Sequence, residues 1–223
     1  MYNKTGTTIL GVKTKEGGVL LGLDRQASMG NTYSYTTKYK KTTFTITNNA
    51  TGKLEEIEIY SAVAGYASAL QLYRKVIVNC FESFSTIGVS SSERFFKTLT
   101  QKITQNWSKQ NPIALEVMTQ SELIVVYKKG SDIDFRRFDS GGHHDSLKSN
   151  MIATGSGSMF ARGAYFSQLI KQNELTKQDM QTLPKELARP ALELAMKTAC
   201  YLDLYSGGKA GIHDPVIDIL DIS

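Results

Sequence analysis

The side chains that could do chemistry are few and lie far apart in the chain. Gly6-Thr7-Thr8 places two hydroxyls just ahead of an apolar run, Ile9-Leu10-Gly11-Val12. Asp24 ends the next apolar run, and Lys40 lies sixteen residues beyond it. Gly155-Ser156-Gly157-Ser158 and Asp203-Leu204-Tyr205-Ser206-Gly207-Gly208 bring further hydroxyls and a carboxylate. Taken alone, a threonine pair near a terminus is an ordinary strand start. Any nucleophilic chemistry would need a base, because a threonine hydroxyl attacks only once its proton is taken.

Other sites fail on spacing. Gly155-Ser156-Gly157 follows a strand-like run and opens a helix-like one, the setting of a dinucleotide fingerprint, but Phe160 stands where its third glycine must be. The same segment lacks the residues before the serine that an esterase elbow needs. His143 and His144 are adjacent, so on regular structure they face different ways, and His213 is the one further histidine. With no paired cysteines, they read as loop histidines, and neither a metal nor a cofactor is expected.

The elements around these residues follow from periodicity. Thr8–Val12 and Val19–Leu23 read as a strand pair about a Lys15–Gly18 turn, the second strand apolar on both faces. Thr43–Ile46 and Ile57–Tyr60 read as a second, projecting hairpin about Asn48–Gly52. Leu70, Tyr73, Ile77, Phe81 and Phe84 mark one helix. Phe96, Leu99, Ile103 and Trp107 mark another, with Ser90–Ser92 to cap its start. Pro112 separates them from strands at Leu123–Tyr127 and Ile133–Phe138. A strand at Asn150–Ala153, helices at Met159–Gln172 and Lys185–Leu202, and a strand at Val216–Ile219 complete the chain. Helices arrive in pairs rather than after each strand, which disfavours a doubly wound parallel sheet. The pattern predicts an α+β fold: a four-layer αββα sandwich of two antiparallel sheets flanked by helix pairs, in one domain.

Composition narrows the function classes. Of 223 residues, 41% are hydrophobic and 21% charged, a globular balance rather than a disordered or coiled-coil one. No apolar run reaches the roughly 18 residues of a spanning helix, so no membrane role is expected. The net charge of +5 is spread over pairs such as Lys40-Lys41, Lys128-Lys129 and Arg136-Arg137 among acids, without a basic reading face. Nucleic-acid binding is not expected. Cys80 and Cys200 lie in apolar, helix-like stretches and read as reduced core thiols. The first residues contain no apolar stretch of the signal-peptide kind, so a cytoplasmic location is expected.

Taken in order, the polar motifs resemble those of proteasome β-type subunits and the related bacterial ATPase-dependent peptidase, over essentially the whole chain. Gly6-Thr7-Thr8-Ile9-Leu10-Gly11 is similar to the junction where a short propeptide, here residues 1–6, ends in glycine before a threonine that becomes the mature N-terminus. Asp24-Arg25-Gln26-Ala27-Ser28-Met29-Gly30-Asn31-Thr32 resembles the stretch with the family's first active-site aspartate. Ala64-Gly65 looks like its oxyanion turn, and the Ser156 and Asp203-x-x-Ser206 segments like its remaining site elements.

The resemblance implies an N-terminal-nucleophile hydrolase with the peptidase domain at residues 7–223. Cleavage between Gly6 and Thr7 would free an α-amine, which titrates near about 8 and can take the Thr7 hydroxyl proton. Lys40 would lower the hydroxyl pKa or relay a proton, with Asp24 holding it. Ser156, Asp203 and Ser206 would position the amine and a water, and the Gly65 amide would face the oxyanion. Lys41 is the alternative to Lys40, since the family lysine is usually the second of a pair followed by an aliphatic residue and here Thr42 follows. A pocket of Ala27, Lys38 or Tyr39, Val63 and Gln71 would receive the substrate side chain.

The expected function is a self-processing threonine endopeptidase in homo-oligomeric, heptameric rings, acting on unfolded polypeptides. Its implied partners are α-type ring subunits and an unfolding ATPase. The alternatives are a catalytically silent ring scaffold and a simpler peptidase built from one subunit type.

Overall fold

The computed structural model describes residues 7–29, 32–48, 51–82, 91–107, 109–139, 142–144, 150–172, 182–203 and 215–223. Its first elements are β1 (Thr8–Lys13), β2 (Val19–Asp24), β3 (Gln26–Met29), β4 (Thr32–Tyr35), β5 (Tyr39–Thr47) and β6 (Leu54–Ala64). Then come α1 (Ala69–Glu82), α2 (Ser92–Trp107), α3 (Pro112–Thr119), β7 (Glu122–Lys129) and β8 (Asp132–Phe138). β9 (Met151–Gly155), α4 (Ser158–Gln172), α5 (Lys185–Leu202) and β10 (Ile217–Ile222) complete the order. Two compact units emerge, Met1–Lys38 with Leu147–Ser223, and Tyr39–Ser146.

The first unit is built on an antiparallel sheet in the order β10-β2-β1-β9. All six residues of β2 are buried, which is why that run carries no polar alternation. Leu10, Val12 and Leu20 pack with Ala161, Tyr165 and Leu169 of α4 and Leu192 and Met196 of α5. The contact face of α5 is rich in alanine (Ala188, Ala191, Ala195, Ala199), so the helix lies close to the sheet. A Cβ on Gly22 would sit 2.7 Å from Met196 Cγ, which shows how tight that approach is.

The second unit is a meander, β5-β6-β7-β8, again antiparallel throughout. Alternate residues of β6 and β7 (Ile57, Ile59, Val63, Leu123, Val125, Tyr127) join an aromatic core of Tyr73, Phe81, Phe95 and Phe96. Phe44 of β5 stacks on Phe81, so one face of the projecting hairpin is half covered rather than wholly in solvent. The α2 start is held by Asp132, whose carboxylate accepts the Ser92 amide and hydroxyl, both at 2.9 Å. Ser91 Oγ accepts the Arg94 amide at 3.4 Å, and Ser90 lies outside the described residues, as does Phe84.

The fold is therefore the expected α+β class, with two four-stranded antiparallel sheets and five helices among the described residues. Two elements differ from the sequence reading. The short β3–β4 hairpin was not expected, because its serines, tyrosines and threonines carry no apolar alternation. Pro112, read as a separator, instead starts α3 from its first position, where a missing N–H costs nothing. Asn111 caps that helix by accepting the Ala114 amide at 2.8 Å.

The end of α3 fixes the Gly65 turn. Ser121 Oγ donates to the Val117 carbonyl at 2.8 Å and accepts the Tyr66 amide at 3.0 Å. Gly65 has φ +121°, and a Cβ there would meet Ser121 Oγ at 2.6 Å and the Gln120 carbonyl at 2.8 Å. Both the backbone angle and the space demand glycine. Gly65→Ala should lower the unfolding free energy by about 3 kcal/mol, a sum of left-handed strain and overpacking. The check is the urea midpoint; an unchanged midpoint would mean that the turn is not fixed by this contact.

Candidate active site

Three strand ends meet where the sequence placed its nucleophile. The β1–β2 register sets Ile9 opposite Leu23, so Thr8 lies level with Asp24. The β1–β9 register sets Thr8 opposite Gly155, which brings Ser156 level with Thr7. Antiparallel pairing thus collects residues from three distant parts of the chain with no special loop.

Asp24 is fully buried and uses both carboxylate oxygens. Oδ2 accepts the Thr8 amide at 2.8 Å, and Oδ1 accepts from Lys38 Nζ in a buried ion pair. Lys38 Nζ also donates to Thr7 Oγ1 at 2.8 Å. Thr7 and Lys38 are both buried, at 1% and 6% exposure, so this ammonium meets the hydroxyl away from bulk water. Burial lowers the Lys38 pKa from the ordinary lysine value, and the Asp24 carboxylate opposes that shift. The amine is therefore held as a cation less tightly than a surface lysine would be. A charge beside Oγ1 stabilises a developing alkoxide, and an easily released proton suits a relay.

The lysine at Thr7 is Lys38, not Lys40. Lys40 is exposed on β5, where its carbonyl accepts the Ser61 hydroxyl at 3.3 Å. Lys41 is exposed too, pairing with Glu58 and lying 5.5 Å from the centre of the Tyr60 ring. Lys38 precedes the strand by one residue, and so escapes the alternation that sends β5 side chains to a solvated face. A partial signal was legible: Glu58 on the opposing strand pairs with Lys41, which sets that lysine apart as a surface charge.

The other expected residues divide between the units. Ser156 Oγ donates to Asp203 Oδ2 at 2.5 Å, joining the start of α4 to the end of α5. Ser206 and Gly6 lie outside the described residues. Gly65 belongs to the second unit, within the turn described above. Of the expected pocket residues, Val63 is turned into the second unit's core, Gln71 is exposed, and Lys38 serves Thr7; the Ala27 side chain lies outside the described ones.

Cys200, on the last turn of α5, is buried in the same unit, and burial pushes both free thiols, Cys80 and Cys200, up to about 12. Neither is a nucleophile in that state. His144 Nδ1 lies 2.8 Å from Thr100 Oγ1, and its ring packs against Phe138, a structural setting within the second unit. No group of three metal-ligating side chains is found among the described residues.

Removing Asp24 would strand the Lys38 charge and the Thr8 amide together. Asp24→Ala should cost about 3–5 kcal/mol, the range for breaking a buried pair from one side. Lys38→Met, which removes the charge but keeps the length, should cost less than Asp24→Ala. Chemical unfolding measures both, and equal losses would argue that Asp24 carries no more than its lysine contact.

No curated protein matches the chain. The family model for proteasome subunits matches residues 3–209, which include Thr7, Asp24, Lys38, Ser156 and Asp203. With that match spanning most of its length, the chain belongs to the proteasome subunit family.

Proposed function

We propose that this chain is a catalytically active, self-processing threonine endopeptidase subunit with Thr7 as nucleophile and Lys38 as its activating cation. One observation carries the reading: the buried Lys38 ammonium, paired with Asp24, donates to the Thr7 hydroxyl at 2.8 Å. A silent scaffold has no need to bury a lysine against a threonine.

In maturation, Thr7 Oγ attacks the Gly6 carbonyl, and the acyl group moves from nitrogen to oxygen. Water then hydrolyses the ester, releasing residues 1–6 and freeing the Thr7 amine. In turnover, that amine takes the hydroxyl proton as Oγ adds to a substrate carbonyl. Lys38 stabilises the charge on Oγ. The Gly65 amide is assigned to the oxyanion, a role worth about 3 kcal/mol in other hydrolases. Collapse of the adduct expels the amine product, and water cleaves the acyl ester. Ser156 and Asp203, with Ser206 beyond them, hold the amine and the water.

Membership of the proteasome family carries a multi-subunit ring assembly. Heptameric rings, α-type ring partners, an unfolding ATPase, unfolded polypeptide substrates and a cytoplasmic setting complete the proposal, each by likeness to the family.

Turnover of a fluorogenic peptide by protein whose first six residues have been removed tests the lysine directly. Lys38→Ala should lose at least ~10²-fold in kcat, the usual contribution of a positioned proton-transfer group. Lys40→Ala should stay within about two-fold of wild type, since its side chain faces solvent. The reverse order would return the role to Lys40.

The pH profile tests the same assignment. Activity should rise as the Thr7 amine loses its proton near pH ~8. It should fall again as Lys38 deprotonates, below the 10.5 of an unperturbed lysine because its pKa is lowered. A profile still rising above pH 10.5 would contradict a cationic Lys38.

A further inference from the structure

A backbone donor on a glycine needs its direction imposed from outside, because no other residue is so free in φ. Gly65 is held from both sides. Before it, β6 stays in the ladder through Ala64, which lies opposite Glu122 of β7. After it, the Tyr66 amide donates to Ser121 Oγ at 3.0 Å. That bond fixes the peptide plane between Gly65 and Tyr66. The ladder fixes the plane between Ala64 and Gly65, which carries the Gly65 N–H.

Ser121 is itself aimed. A hydroxyl has one proton, and here it goes to the Val117 carbonyl at 2.8 Å, one of the last carbonyls of α3. The lone pairs are thereby turned to the Tyr66 amide. The Ser121 amide donates to the Met118 carbonyl at 3.2 Å, and the Tyr73 hydroxyl of α1 donates to the same carbonyl at 3.1 Å. Tyr66 adds a bond from its own hydroxyl to Gln120 Oε1 at 3.3 Å. Ser121 is fully buried, so no bulk water stands ready to replace its oxygen.

We infer that Ser121 is a positioning residue for the oxyanion donor: through the Tyr66 amide, the end of α3 sets the direction of the Gly65 N–H. The inference rests on the reading above that the Gly65 amide receives the oxyanion. Its effect falls on the transition state, because the substrate carbonyl oxygen gains its charge only as Thr7 Oγ adds. Ser121 therefore governs kcat and leaves the hold on substrate unchanged.

The test uses assembled protein that begins at Thr7, a fluorogenic peptide and a peptide boronic acid. Boron takes the Thr7 oxygen and becomes a tetrahedral anion, the hydroxyl proton passing to the Thr7 amine, so boronate affinity follows transition-state binding. Ser121→Ala should lower kcat and boronate affinity together by at least ~10-fold, with KM within about two-fold of wild type. Ser121→Thr, which keeps the hydroxyl, should recover most of both. Asn111→Ala removes the cap at the far end of the same helix and should leave kcat near wild type. Wild-type kcat in Ser121→Ala, or a loss confined to KM, would overturn the inference. So would an equal loss in Asn111→Ala, since any loosening of α3 would then suffice. The parent reading fails separately: wild-type protein that begins at Thr7 yet neither cleaves the peptide nor binds the boronate would remove the active subunit, and this role with it. Should Ser121→Ala fail to fold, Ser121→Cys puts a poor acceptor in the same place and decides by the same comparison.

Discussion

Two opposite charges, Asp24 and Lys38, sit out of reach of water, and the first unit is arranged around that fact. Withdrawing such ions from solvent costs several kcal/mol each, repaid only when geometry and extra hydrogen bonds are good. Here the carboxylate holds the lysine with one oxygen and the Thr8 amide with the other. The lysine in turn reaches the Thr7 hydroxyl. One buried carboxylate therefore sets the start of β1, the position of the cation and the distance between that cation and the Thr7 hydroxyl. The sheet register supplies the rest, since Asp24, Thr8 and Gly155 lie level on neighbouring strands. On the same sheet, α5 packs closely through its alanines and against Gly22.

Elements with a strong apolar period were readable from the sequence because burial itself writes the period. β1, β2, β7, α1, α2 and α5 fall where leucine, isoleucine, valine and aromatic spacing place them. What escaped carries no such period. The β3–β4 hairpin is polar, and α3 spans only 8 residues behind a proline whose helix-starting role depends on its cap at Asn111. That short helix matters, since Ser121 just beyond it shapes the Gly65 turn.

At the lysine beside Thr7 the structure departs from the sequence reading by two residues. Thr7, Asp24, Ser156 and Asp203 sit at the ends of apolar strands or helices, so their places follow from element boundaries. The lysine has no boundary of that sort to fix it. Lys38, Lys40 and Lys41 are chemically alike, and which of them is buried depends on where β5 begins and which acids face it across the sheet. Cross-strand charge pairing claims Lys41 for the surface through Glu58, and exposure claims Lys40. Only the tertiary structure reveals that Lys38 points the other way.

The central claim is that the Asp24–Lys38 pair activates Thr7, and the first bond so activated is the chain's own Gly6–Thr7 peptide. Intact-mass measurement and N-terminal sequencing of the assembled protein read that event without any choice of substrate. The account predicts a wild-type chain that begins at Thr7, and Thr7→Ala and Lys38→Ala chains that keep residues 1–6. A wild-type chain that retains those residues, or a Thr7→Ala chain shortened at the same bond, would contradict it.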